Sequence, residues 1–162
     1  MSELLRSVST SLSLSAADKI IDIALLTRRE AGLLPLAVAV LDAGGQLVSF
    51  RREDGCGVLR FDIAVGKAAA ALGMGMSSRQ IRDRLATRPS FQTALAAAAQ
   101  GRFIPVPGGV LILDATGEAI GAVGISGDTS DKDEYCAVQA VHAAGLRSDP
   151  EEPDPGWNDS KL

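Results

Sequence analysis

The chain has 162 residues, the size of one ordinary domain, and 46% of them are hydrophobic against 22% charged, which excludes wholesale disorder. The net charge of −4 and the lack of aromatic residues among the basic ones argue against nucleic acid as a partner, and no apolar run is long enough to cross a membrane. Aromatic residues are only 4% of the chain while alanine and glycine abound, so each residue buries little area and we expect a homo-oligomer.

The first half of the chain predicts a helix, a hairpin and a second helix. Ser15 is typical of a helix N-cap, the isoleucine-rich stretch after it has helical spacing, and Gly32 ends it. The apolar run 36–41 and the alternating run 46–51 flank an Asp-Ala-Gly-Gly turn, which predicts a β-hairpin whose first strand is buried. Apolar residues at helical spacing over 58–76 predict the next helix.

The second half predicts two short helices, an irregular stretch, another hairpin and a closing helix. Ser77 or Ser78 caps the first short helix, which runs to Leu85, and Pro89 occupies the first turn of the second. Two prolines exclude 103–109 from a central strand, since proline donates no hydrogen bond to a sheet. The remaining expected segments are a helix over 90–100, strands over 110–113 and 118–126, and a helix over 131–145.

The predicted order is α-β-β-α-α-α-β-β-α, with hairpins in place of the crossovers that join parallel strands. This order predicts one α/β (α+β) domain over 1–146, with a single antiparallel sheet flanked by helices, and it disfavours a doubly wound nucleotide-binding fold. Residues 147–162 contain three prolines, several acids and the only tryptophan, Trp157. We expect this segment to be a flexible tail or to dock on a neighbouring subunit.

The cysteines and the first residues indicate the cellular compartment. Cys56 and Cys136 lie far apart in the sequence and match no metal-binding or redox spacing. Residues 1–15 lack the basic start, the apolar block and the cleavage site of a signal peptide. Both observations predict a reduced, cytoplasmic protein.

Several short motifs do not carry the chemistry that they first indicate. The glycines of 121–127 fall inside a predicted strand and lack the spacing of a dinucleotide-binding loop, so close packing against a helix explains them better. The Gly-Lys-Ala sequence at 66–68 lacks the other residues of a P-loop, and Ser126 lacks the glycine spacing of a nucleophile elbow. The only histidine, His142, is interpreted as an ordinary residue of the closing helix, and we expect no metal site built on histidine.

Four acidic residues surround the start of the closing helix: Asp128, Asp131, Asp133 and Glu134. Their carboxylates suit a hard cation, but the favourable interaction of acids with a helix N-terminus explains them with nothing bound. The residues alone leave both interpretations open.

Lys67 lies on a predicted helix face made mostly of alanine and glycine, and Arg60, two turns earlier, shares that face. Such a pair suits a carboxylate ligand, whereas a lysine that lies along apolar surface explains Lys67 without one. Arg51 ends the second strand and Glu53 follows in the loop, where binding residues are commonly found. We expect the Lys67 ammonium to point between Arg51 and the backbone of 108–109.

A set of short motifs occurs in a fixed order along the chain. They are VAVLDAGG at 38–45, RREDG at 51–55, GKA at 66–68, PGG at 107–109, and GAVGISG at 121–127 followed by Asp133-Glu134. In this order the chain resembles the GlcG/HbpS-like family, often described as haem-degrading or haem-binding domains, over about residues 14–146. The resemblance implies a profilin-like α/β fold, homo-oligomers, and haem as one candidate cofactor. The cofactor stays unknown, because few residues in the chain are of the types that usually bind haem iron. They are His142, Cys56, Cys136 and Tyr135.

Two functions remain open at this point. In the first, the protein is an oligomeric binding protein for haem or a carboxylated metabolite, with a pocket between the sheet and the helix over 58–76. In the second, the same pocket belongs to an enzyme of small-molecule catabolism that acts on a carboxylated or carbonyl metabolite. The expected ligand-binding residues are Arg51, Glu53, Lys67, Gly108, Gly109 and Ser126. The expected catalytic residues are Lys67, for electrostatic stabilisation or proton transfer, and Asp128, Asp133 or Glu134 as the base.

Overall fold

The computed structural model describes residues 4–162 and places five helices around one five-stranded sheet. The helices are α1 (Leu14–Glu30), α2 (Arg60–Met74), α3 (Ser78–Leu85), α4 (Pro89–Ala98) and α5 (Ser130–Ala143). The strands are β1 (Ala37–Asp42), β2 (Leu47–Arg52), β3 (Gly109–Leu113), β4 (Ala119–Ser126) and β5 (Arg147–Asp149). The predicted order of helices and strands is confirmed, and β5 is an addition to it.

Local capping sets several of these boundaries. Ser13, and not Ser15, caps α1, because its hydroxyl accepts a backbone hydrogen bond from the first helical turn at 3.1 Å. Ser77 caps α3 in the same way. Pro89 is the first residue of α4, where its missing N–H would have had no partner inside the helix.

The sheet is antiparallel throughout, with strand order β2-β1-β4-β3-β5. The two predicted hairpins lie side by side because β1 pairs with β4, with Ala37 opposite Ser126. β1 is central and covered on both faces, which explains its continuous apolar run. The end of β4 and the beginning of β1 therefore meet at one edge of the sheet.

Helices cover both faces of the sheet. α1 and α5 pack on one face, over a core that includes Ile20, Val38 and Val138. α2 covers the other face, and α3 and α4 pack beside it around Ile81 and Leu85. In the described part of the chain, no helix combines the length and the apolar character needed to cross a membrane.

Small residues bring α2 into close contact with the sheet. Ala68 and Ala71 of α2 pack on Ala122 of β4, and a side chain added at Gly124 would collide with the backbone carbonyl of Ala64. Close packing thus accounts for Gly124, in agreement with the sequence analysis. Contact at the level of the backbone leaves no room for a ligand where α2 crosses β4, and a ligand pocket elsewhere between the sheet and this helix stays a prediction.

Residues 147–162 correct the expected domain boundary at 146. Ser148 of β5 lies opposite Ile112 of β3 in an antiparallel pairing, and the Trp157 ring stacks on Tyr135 with their centroids 3.7 Å apart. The domain therefore extends into this segment. A strand of three residues has no measurable periodicity, so the sequence pattern could not show it. Flexibility of the segment in solution stays a prediction.

Candidate functional site

A buried ion pair lies at the end of β4. The Lys67 side chain of α2 is only 2% exposed, and its ammonium donates to the Asp133 carboxylate of α5 at 3.0 Å and to the Ile125 carbonyl at 2.9 Å. The other oxygen of Asp133 accepts a hydrogen bond from the Asp128 backbone amide at 3.0 Å. The pair therefore joins α2 to α5 at the edge where β4 ends.

Burial opposes the charged form of both members of this pair. It lowers the pKa of Lys67 and raises the pKa of Asp133, while the attraction between the two charges acts against both shifts. Buried charges are tolerated where they are paired and hydrogen-bonded. Lys67 and Asp133 consequently depend on each other.

Two glycines let the 107–109 loop close over Lys67. Gly108 has a φ of +117°, and a Cβ there would lie 2.9 Å from the Lys67 Nζ. Ser78 of α3 fixes the next residue, because its hydroxyl accepts from the Gly109 amide at 2.7 Å and donates to the Gly109 carbonyl at 3.2 Å. Gly108 and Gly109 thus lie beside Lys67, as expected, but they cover the lysine instead of opening a path to it.

A small open cleft of about 230 Å³ lies next to the buried pair. Its lining residues come from the ends of loops and from the start of α2: Leu34, Pro35, Gly55, Cys56, Gly57, Arg60 and Gly127. Arg60 is half-buried and donates to the Ser126 hydroxyl at 3.1 Å. Within residues 4–162 its guanidinium has no carboxylate partner. The charge of Arg60 also acts to lower the pKa of Lys67, so the cleft and the buried pair are electrostatically connected.

Cys56 lies at the edge of this cleft, with its sulfur 4.0 Å from the Ser126 carbonyl. Burial raises the pKa of its thiol, although Arg60 and Arg52 act to lower it. A thiol that stays protonated is a poor nucleophile. The cleft therefore offers a cation and not an activated sulfur.

Arg51 does not reach Lys67. It lies opposite Val38 in the β1–β2 hairpin, and residues opposite each other share a face, so its side chain is on the face that α1 covers. There Arg51 forms ion pairs with Asp18 and Asp22. The expectation that Arg51 and Lys67 form one anion pocket is wrong, because the sheet separates the two side chains.

Glu53 and Asp128 hold the segment that leads into β1. One carboxylate oxygen of Glu53 accepts from the Leu36 amide, and one of Asp128 accepts from the Leu34 amide, each at 2.9 Å. Glu53 also forms an ion pair with Arg28 at 3.3 Å. Burial acts to raise the pKa of Asp128, but backbone hydrogen bonds outweigh this effect and lower it. The Asp128 carboxylate is therefore a weak base.

Glu134 belongs to a second ion pair, separate from that of Lys67. Its carboxylate is fully buried with one oxygen 3.3 Å from Nε of Arg79 in α3, yet neither oxygen forms a hydrogen bond of normal geometry with the described residues. Burial raises the pKa of Glu134 to about 7, against the opposing charge of Arg79. Lys67 and Glu134 therefore do not form the expected acid–base pair.

The acids around the start of α5 do not converge on a cation. Asp128 faces the Leu34 amide, Asp133 faces Lys67 and Glu134 faces Arg79. Across residues 4–162, no group of three metal-ligating side chains of the histidine, cysteine or acidic types comes together. The alternative of a hard-cation site is not supported by this arrangement.

Comparison with known proteins places this geometry in a family. A family model described as haem degrading protein HbpS-like matches residues 12–142. The chain belongs to this HbpS-like family. An uncharacterized 15.0 kDa protein from the dhaT-dhaS intergenic region of Citrobacter freundii is 31% identical over 108 residues, which are 67% of this chain and 75% of that protein.

Solved structures of other proteins share the fold of this HbpS-like chain. Protein ORFY of Klebsiella pneumoniae superposes with a TM-score of 0.75 at 26% identity, over 90% of this chain and 97% of that one. PduOC, solved as a complex with haem, superposes with a TM-score of 0.76 at 23% identity, over 85% of this chain and 98% of that one. The second likeness shows the fold alone.

The side chains of this HbpS-like protein do not fit an axially ligated haem. His142 is exposed, contacts the Ser148 hydroxyl at 2.8 Å and borders a hollow of only about 130 Å³. Cys136 is enclosed in the core, the Tyr135 ring is stacked on Trp157, and Cys56 borders the cleft of about 230 Å³. Both hollows are smaller than the roughly 300 Å³ at which pockets for drug-sized ligands begin.

Sequence reasoning missed three features of the site. It names Asp133 as one acid among four and as a candidate base, although Asp133 is the ion-pair partner of Lys67, and it does not name Arg79. Arg60 appears only as a neighbour of Lys67, yet it is the cation that lines the cleft. The signal for Arg60 is its position just after the Gly55-Cys-Gly57 loop, because such loops expose backbone and nearby side chains to ligands.

Proposed function

We propose that this HbpS-like protein binds a small carboxylated ligand in the cleft beside Arg60. The observation that carries the proposal is the state of Arg60, a half-buried guanidinium held by Ser126 that lacks a carboxylate partner among residues 4–162. A guanidinium matches a carboxylate with two parallel hydrogen bonds. Three lining glycines, Gly55, Gly57 and Gly127, keep side chains out of the approach to Arg60.

Lys67 supports this site without touching the ligand. Its charge is paired with Asp133 and removed from solvent, so it is not available to a ligand in the cleft. We assign it a positioning role: it fixes the end of β4, which carries Ser126 and leads into Gly127. Arg60 then takes the ligand-binding role that the sequence analysis gave to Lys67.

The size of the cleft favours acids of few heavy atoms. Its volume of about 230 Å³ is below the roughly 300 Å³ of common drug-sized pockets. Haem, with which PduOC was solved as a complex, also carries carboxylates and so belongs to the broad ligand class proposed here. The lack of fitting axial donors favours a small acid over haem in this chain.

We further propose that the protein forms homo-oligomers in the cytoplasm. Val58 and Leu59, just before α2, are 76% and 63% exposed, and Leu34 on the other side of the cleft is also exposed. This apolar rim suits a second subunit, and the free thiols of Cys56 and Cys136 suit a reducing compartment. Light scattering after size-exclusion chromatography should give at least a dimer, and a monomer at micromolar concentration would overturn the oligomer. Cell fractionation tests the location.

The proposed ligand class is tested by thermal unfolding and calorimetry with small acids. Acetate, propionate, lactate, malonate and succinate are compared with acetamide and propionamide, which have similar shapes and no charge. We expect at least one acid to raise Tm and to bind by calorimetry, while the amides do neither. Equal binding of acids and amides would show that the cleft does not recognise a carboxylate.

Variants of Arg60 locate the binding. Arg60→Met keeps much of the stem and removes the guanidinium, so the affinity for the best acid should fall roughly tenfold or more, the scale of one charged hydrogen bond. Arg60→Lys should retain part of the affinity. Arg84→Met, at an exposed position in the last turn of α3, is the matched control and should bind as the wild type does. Unchanged affinity in Arg60→Met would overturn the proposed site.

A further inference from the structure

A second, larger cleft lies between α2 and the β1–β2 hairpin, and residues 100–102 after α4 complete its lining. It has a volume of about 400 Å³ and an apolar wall formed by Leu41, Leu47, Phe61 and Val65. This volume lies within the range of pockets that enclose small organic ligands. Arg60 and the other residues of the smaller cleft do not line it, so the two sites are distinct.

Two residues of opposite charge, Asp62 and Arg102, line this larger cleft. Asp62 lines it in the first turn of α2, whereas Arg102 lines it and also two adjoining hollows beside Ala69 and Gly73. Ala69 lies seven positions after Asp62, a rise of about 10 Å along α2, so Arg102 also lines hollows farther along this helix than Asp62. Within the described residues neither charge has an ion-pair partner, and Arg102 donates only to the Gly45 carbonyl, at 2.8 Å.

The loop that carries Arg102 also presents an amide to the cleft. Gln100 has a φ of +54° and is the only residue other than glycine in the left-handed region within residues 4–162. Glycine would adopt this conformation without strain, and Gly101 follows with a φ of +82°. This conformation ends α4, since the Gly101 amide donates to the Ala96 carbonyl at 2.9 Å, and it places Gln100 among the residues that line the cleft.

We propose that this cleft binds an ω-amino acid, a molecule with an apolar chain, an ammonium at one end and a carboxylate at the other. The ammonium pairs with Asp62, the chain covers Phe61 and Val65, and the carboxylate pairs with Arg102. Each charged end of such a ligand meets an unpaired opposite charge, and the apolar wall removes the chain from water. The Gln100 amide donates a further hydrogen bond at the carboxylate end.

The probe for this site is ω-aminocaprylate, with caprylate and octylamine as ligands that each keep one charge. Isothermal titration calorimetry should show ω-aminocaprylate binding roughly tenfold tighter than either, the scale of one charged hydrogen bond. Amide chemical shifts in NMR spectra should change at 61–65 and 100–102. Equal affinity for caprylate, or shifts confined to other regions, would overturn the proposal.

Single substitutions separate the contributions of the two ends. Asp62→Asn should lower the affinity for ω-aminocaprylate to that of caprylate, and Arg102→Lys should restore part of the affinity that Arg102→Gln loses. Gln100→Gly should weaken binding while its Tm stays at or above that of the wild type, because the strain is relieved. Arg84→Met, at an exposed position of α3 that lines neither cleft, is the control and should leave this binding unchanged. Wild-type affinity in Asp62→Asn, or loss of affinity in Arg84→Met, would refute the assignment.

Discussion

Replacing Lys67 with methionine removes the ammonium and keeps most of the side-chain stem, so it isolates the buried ion pair from packing. In Lys67→Met the fully buried Asp133 carboxylate loses its partner at 3.0 Å, and the Ile125 carbonyl loses a hydrogen bond of 2.9 Å. Breaking a buried pair by removing one member costs about 3–5 kcal/mol. The free energy of unfolding of a typical domain is only about 5–15 kcal/mol, so a decrease in Tm on the order of 10 °C is expected.

The double variant Lys67→Met/Asp133→Asn tests whether the stranded charge causes this loss. With both charges removed, the double variant should be more stable than Lys67→Met, which is the signature of a coupled pair. Acid should also restore Lys67→Met, because burial raises the pKa of Asp133 and a raised carboxyl pKa makes the folded state gain stability as the pH falls. The gap to the wild type should therefore be smaller near about pH 5 than near about pH 8.

Urea unfolding followed by circular dichroism at both pH values measures these differences. Lys19→Met, at an exposed position on α1, is the control and should change the free energy of unfolding by no more than about 0.5 kcal/mol. Unfolding of Lys67→Met at the wild-type urea midpoint would show that the buried ion pair does not stabilise the fold. A double variant no more stable than Lys67→Met would show that the unpaired Asp133 charge is not the cause of the loss.

Three further predictions concern stability and cofactor binding. Glu134→Gln should raise the free energy of unfolding by up to about 3 kcal/mol near pH 8 and change it little near about pH 4. The reason is that burial raises the pKa of Glu134 from 4.5 to about 7, so ionisation of its carboxyl group at high pH destabilises the fold. Equal changes in urea titrations at both pH values would contradict this prediction. Gly124→Ala should lower the free energy of unfolding by about 1–3 kcal/mol, because the added methyl group collides with the Ala64 carbonyl. Gly73→Ala places its methyl group in open space, so its stability should equal or exceed that of the wild type. Equal thermal melts of the two variants would contradict this prediction. Haem titration should give a broad, low-affinity Soret change, and a sharp six-coordinate spectrum that His142→Ala abolishes would show that an axial ligand was overlooked.

Features that depend on a few neighbouring residues could be predicted from the sequence. The apolar run of β1, the alternating β2 and the turn between them predict the first hairpin because hydrophobic period and turn residues are local properties. The same holds for the Ser77 cap, for Pro89 at the start of α4 and for the order of the helices and strands. The motifs also identify the family correctly, since their order along the chain is itself sequence information.

Features that depend on residues distant in sequence were decided by the tertiary structure alone. Lys67 and Asp133 are 66 positions apart, and only the packing of α2 and α5 around the end of β4 turns a supposed anion-binding lysine into half of a buried pair. Arg51 is drawn to α1 because the register of the hairpin places it opposite Val38, and a shift of one residue would have turned it to the other face. Propensity and pattern act over a few residues, so they predict which helices and strands form. The packing of distant residues fixes which charges are paired and which, like that of Arg60, lack a carboxylate partner among residues 4–162.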